Sequence, residues 1–86
     1  MIKIAPKGNP SEQRYQCGYE LMHAVFNDLV FCGNLAGHVP AGTDSVTIDT
    51  DADTVRKSIM EIWTASKDID AQPDEILSIE IVYGRL

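Results

Sequence analysis

The chain has 86 residues, a mass of 9.5 kDa and a net charge of −6, with 44% hydrophobic and 23% charged residues. That composition excludes a disordered tail, a collagen-like fibre and a membrane span, and it fits one small domain, residues 1–86, with a modest core. The acidity is one-sided. Residues 1–43 balance acids with cations, whereas residues 44–86 hold ten acids against four cations, which disfavours direct contact with a phosphate backbone and favours a basic partner.

Met1 to Ala5 alternates, with Ile2 and Ile4 on one side and Lys3 and Ala5 on the other. It reads as a short strand closed by Pro6 and the turn-prone Lys7-Gly8-Asn9. The opening MIKIAPKGNP lacks the apolar stretch of a secretory signal, so a cytoplasmic protein is expected. Asn9-Pro10-Ser11-Glu12 supplies a helix start, with Pro10 at the first helical position and Glu12 three residues after Asn9, as in a capping box. At about 100° per residue, Tyr15, Gly18, Tyr19, Leu21, Met22, Val25, Phe26, Leu29, Val30 and Cys32 fall on one side, and Gln13, Gln16, Glu20, His23, Asn27 and Asp28 on the other. One helix from Pro10 to Cys32 is predicted, with Gly33 just past its end. Gly18 lies inside the apolar arc. It weakens the helix by about 1 kcal/mol against alanine but permits close backbone approach.

Asn34 to Asp44, with Gly37, Pro40 and Gly42, reads as a loop, with room for a short extended piece at Leu35 to Val39. Ser45 to Asp49 alternates with Val46 and Ile48 inward, the second strand. Thr50-x-x-Asp53 resembles a capping box for a second helix, whose inner stripe is Ala52, Val55, Ile59, Ile62, Trp63 and Ser66 and which fades by Lys67 or Asp68. Asp68 to Asp74, with Pro73, reads as a second acidic loop. Leu77, Ile79, Ile81 and Tyr83 then alternate with Ser78 and Glu80 in a last strand, and Gly84-Arg85-Leu86 is a short tail.

The order β-α-β-α-β predicts an α+β, two-layer domain: two helices on one face of a three-stranded sheet with antiparallel pairing. A strand at Leu29 to Cys32 would instead give the ferredoxin-like order β-α-β-β-α-β; the unbroken helical stripe to Gly33 favours three strands. The other sheet face is open. Ile76 and Val82 on the outward side of the last strand, with exposed Phe31, point to a weak or moderate homodimer.

No spacing in the chain specifies a cofactor, a metal or a catalytic residue. Cys17 and His23 are six apart, about 240° around a helix, so they do not chelate one ion. The two cysteines, 15 residues apart on one helix, stand about 22 Å from each other, too far for a disulfide. Cys32 sits at the negative end of the helix dipole, the wrong end to activate a thiolate. Asp49-x-Asp51-x-Asp53 resembles the start of a calcium loop, but Thr54 stands where its glycine belongs and Met60 where its bidentate Glu belongs. Gly33, Gly37 and Gly42 match no phosphate-cradling pattern.

The acid clusters are the most unusual feature. Asp44, Asp49, Asp51 and Asp53 surround the start of the second helix; Asp68, Asp70, Asp74 and Glu75 lie beyond its end, where the helix dipole gives negative charge no local support. Leaving out Asp44, the remaining seven carboxylates are the candidate partner-binding residues, complementary to Lys and Arg and in part imitating nucleic-acid phosphates. In size and charge, though in no motif, the chain resembles the small acidic α+β proteins found among antitoxins, immunity proteins and phage-encoded inhibitors such as anti-CRISPRs. That resemblance implies a non-enzymatic protein-binding domain that inhibits a basic partner, such as a nuclease or other nucleic-acid-binding protein. The alternative is a small-molecule-binding or enzymatic domain built on the Gly33 to Asp44 loop, with His38 and Cys32 nearby.

Overall fold

Ile2 and Ile4 are buried to 2% and 0% exposure in the first strand, β1 (Ile2–Pro6), as their alternation requires. A computed structural model describes residues 1–41, 44–67 and 69–82. After β1 come α1 (Gln13–Phe26), a π-helical turn (Asn27–Cys32), β2 (Gly37–His38), β3 (Val46–Ile48), α2 (Ala52–Ala65), the short α3 (Pro73–Ile76) and β4 (Leu77–Ile81). The class is α+β, but the sheet has four strands rather than three, in the order β2-β3-β1-β4, each pair antiparallel. This is the β-α-β-β-α-β order of the alternative reading, with the extra strand at Gly37–His38 and not at Leu29–Cys32. The strand lies inside the extended piece expected at Leu35 to Val39, but two residues carry no alternation that would mark them as part of the sheet. Contact places them: a Cβ on Gly37 would lie 2.7 Å from Val30 Cγ2 and 2.9 Å from the Thr47 carbonyl oxygen, so the absent side chain is what lets β2 sit against β3 beneath the π turn.

The predicted Pro10 to Cys32 helix is shorter and changes pitch. Asn9 and Glu12 do pair, the Asn9 N–H donating to Glu12 Oε1 at 2.9 Å, but they close a turn ahead of the helix, which begins at Gln13. Tyr15, Gly18, Leu21, Met22, Val25 and Phe26 are buried as the stripe requires. From Asn27 the chain widens into π geometry, which rotates the following side chains off an α-helical stripe. Leu29 stays buried, Val30 is half-buried and Cys32 is exposed. Asn34, not Gly33, takes the left-handed conformation (φ 59°), and the Leu35 N–H closes on the Leu29 carbonyl at 3.4 Å. Cys17 and Cys32 are both free thiols.

α2 starts one residue later than its expected cap: Asp51, not Thr50, is the N-cap, and its Oδ1 accepts the Thr54 N–H at 2.7 Å. That bond holds the Asp51 carboxyl below the usual aspartate range. Its support for the helix is therefore complete above that range and is lost as pH falls below it, through the lowered pKa. Ser66 is the C-cap, close to the expected end. β4 runs to Ile81; Gly42, Asp68, Tyr83 and the Gly84-Arg85-Leu86 tail lie outside the described residues.

One buried cluster joins the layers. Ile2, Ile4, Val46 and Ile48 of the sheet meet Leu21, Met22 and Val25 of α1 and Val55 and Ile59 of α2. Ile76 belongs to this core at 0% exposure, which corrects its expected outward placement: it ends α3 rather than starting the strand. The far face carries a polar row across the sheet, His38 beside Thr47, Thr47 beside Lys3, and Lys3 beside Glu80. Among the described residues no helix is long and apolar enough to cross a membrane.

A side-chain bond ties Asp44, just before β3, to α1: the Tyr15 hydroxyl donates to Asp44 Oδ2. The bond to this carboxylate, with burial, pushes the Tyr15 pKa up to about 12. Because the folded value exceeds the ordinary one near 10, this stabilisation is complete below about pH 10 and disappears as pH rises towards 12. Ultraviolet titration should show one tyrosine ionising near pH 12, a step expected to vanish in Tyr15→Phe.

Candidate functional site

The first acid group divides into distinct roles. Asp49 follows β3, its N–H donating to the Ala36 carbonyl at 2.8 Å while its side chain is exposed. Asp51 is committed to the α2 cap. Asp53 stands in the first turn of α2, its side chain 98% exposed, with only a long 3.7 Å contact to Arg56 Nη1.

The second group has more local support than expected. Gln72-Pro73-Asp74-Glu75 opens α3: Pro73 is at its start, and Glu75 Oε1 accepts the Gln72 N–H at 2.9 Å. Asp74 and Glu75 thus occupy the first turn of a helix, where negative charge is favoured, instead of trailing from the unfavourable end of α2. A proline preceded by Gln and followed two residues later by Glu is the signal that marks α3 in the sequence. Asp70 is exposed in the segment between the helices, which Trp63 anchors by donating Nε1–H to the Ala71 carbonyl at 2.9 Å. Asp68 is outside the described residues.

A groove of about 510 Å³ lies between α2, α3 and β4, and of the described candidate acids Asp74 alone lines it. Ile59 and Met60 wall one side, and Leu77 and Ile79 wall the other. Asp74 lines it together with Lys7, whose Nζ donates to the Asp74 carbonyl at 2.7 Å. Arg56 lines it too, with Asp53 Oδ1 3.7 Å from its Nη1. The charged lining is thus two cations, Lys7 and Arg56, and one acid, Asp74, and the fold does not gather the two acid clusters around this cleft. Asp49, Asp51 and Glu75 do not line it.

Met60 and Ile81 are not among the candidate partner-binding residues of the sequence, yet both are half-exposed hydrophobics, at 48% and 49%. Met60 lies off the inner stripe of α2, which was a readable hint. Ile81 alternates correctly towards the helix side, and nothing local tells that this end of the strand is left open.

In the Gly33 to Asp44 loop, His38 is part of β2, opposite Thr47 on the open sheet face, and Cys32 ends the π turn. Among the described residues no three His, Cys, Asp or Glu side chains converge as ligands for a metal ion. No family model, curated protein or solved structure matches this chain.

Proposed function

We propose that this chain is a small acidic, non-enzymatic protein-binding domain, an inhibitor-type module for a basic, nucleic-acid-handling partner in the cytoplasm. The observation that supports this reading is the α2–α3–β4 groove, an apolar cleft lined by Asp74 together with Lys7 and Arg56, most of it built from the half of the chain that holds the whole charge imbalance. Apolar contact in the cleft supplies affinity, and the carboxylates of that half steer a cationic surface towards it and reject anionic competitors. The exposed Asp49, Asp51, Asp70 and Glu75 add to the negative field of this half of the chain.

The test begins with capture and purification of the partner from the native host, followed by association kinetics across a salt series. Replacing Asp53, Asp70 and Asp74 together by asparagine should leave folding nearly intact, because exposed charges contribute little to stability. It should slow association roughly tenfold at low ionic strength while dissociation changes less. The difference should shrink at high salt, where the screening length falls to about 3 Å. The control pairs Glu20→Gln with Asn27→Ala on exposed positions after β1 and before β2. An unchanged triple variant, with binding lost in the control, would move the interface to the neutral half of the chain.

A further inference from the structure

β4 is an edge strand, and its ladder with β1 consumes only every second residue. Lys3 stands opposite Glu80 and Ala5 opposite Ser78, and the flanking bonds run from the Lys7 N–H to the Ile76 carbonyl at 2.8 Å and from the Val82 N–H to the Met1 carbonyl at 2.9 Å. In an antiparallel pair such residues alternate with others whose N–H and C=O point away. Ile79 and Ile81 therefore turn their peptide groups to the free edge, with no strand beside them among the described residues.

The opposite edge of the sheet is blunted: β2 has two residues and Pro40 follows closely. β4 has five residues and neither proline nor lysine. Its free edge also borders the groove. Ile79 lines the cleft directly, and Ile81 points to the same side of the sheet, so an added strand would place every second side chain beside them and Met60.

Resting on the function proposed above, we infer that an extended segment of the partner adds to β4 as a fifth strand. It seats alternate apolar side chains over Ile79, Ile81 and Met60 and sets a Lys or Arg beside Glu80. Charge selects this occupant. The added residue next to Glu80 lies on the outer face, where the row already runs Lys3 then Glu80, and a cation there continues the alternation. A second copy of the chain would bring a net charge of −6 against the same charge, and pairing centred on Glu80 would set two glutamates side by side.

The probe is a labelled peptide of about ten residues alternating valine with lysine, a usual strand length. It is made unmodified, N-methylated on the valine amides, or N-methylated on the lysine amides. The unmodified peptide is expected to bind by fluorescence anisotropy and to slow hydrogen exchange at the Ile79 and Ile81 amides. Methylation of one alternate set should abolish binding while the other set is tolerated, since only one set faces β4. Met60→Ser with Ile81→Ser, both at half-exposed positions, should weaken binding roughly tenfold.

Four results would overturn strand addition: no binding at about 1 mM peptide, equal tolerance of both methylated peptides, unchanged exchange at Ile79 and Ile81, or protection of these amides by self-association of the protein alone. Binding that weakens in the Asp53, Asp70, Asp74 variant yet ignores methylation would overturn strand addition and leave the acidic-surface reading standing. Binding with the alternate methylation pattern but no response to salt or to that variant would uphold strand addition and remove the basic-partner reading.

Discussion

Replacing Ile76 by alanine is expected to destabilise the protein by about 2–5 kcal/mol, the usual range for truncating a large aliphatic side chain in a closed core. Ile76 has 0% exposure and belongs to the cluster formed by α1, α2 and the sheet. An exposed position on the open sheet face would respond by about 0.5 kcal/mol or less, so the experiment separates the two placements. Small domains have about 5–15 kcal/mol of total stability, so this one substitution removes a large fraction of it. In urea the unfolding midpoint should drop while the slope against denaturant is retained; an unchanged midpoint would place Ile76 outside the core.

Alanine at Gly18 should also be destabilising, against the direction of helix propensity. In a free helix the change would gain about 1 kcal/mol. Here α1 crosses α3 with backbone against backbone. A Cβ on Gly18 would overlap the Ile76 carbonyl oxygen and lie 3.2 Å from Pro6 Cβ. The obstacle is main chain and cannot swing aside like a long side chain. The same carbonyl accepts the Lys7 N–H, which joins the end of β1 to the start of β4. Displacing it therefore strains the ladder as well as the helix contact. A net loss of about 1–3 kcal/mol is expected, as for other overpacked sites. Thermal melting of Gly18→Ala beside Gln16→Ala, an exposed position on the same helix, is the measurement. A Gly18→Ala melt at or above the parent temperature would show that the helices do not approach so closely.

The alternation of Ile2 and Ile4, of Val46 and Ile48, and of Leu77, Ile79 and Ile81 was legible in the sequence because strand periodicity is local. The apolar stripes of α1 and α2, the special position of Gly18 and the acidity of the second half were legible for the same reason. Four features were decided only by tertiary contact. β2 exists because β3 and the π turn leave a slot that only a glycine fits, and two residues have no period to detect. The π turn shifts Cys32 outward, although an α-helical wheel places it inward. Ile76 is in the core because α3 interrupts the segment before β4. The groove arises because β4 is an outer strand beside α2, which follows from strand order and from no single stretch of chain. The seven acids could be counted from the sequence, but not sorted into Asp51 as a cap, Glu75 as a brace for α3, Asp53 beside Arg56 and Asp74 in the cleft. Periodicity determines which way a side chain points within its own element. Which neighbour it meets there is set by the packing of elements far apart in the chain.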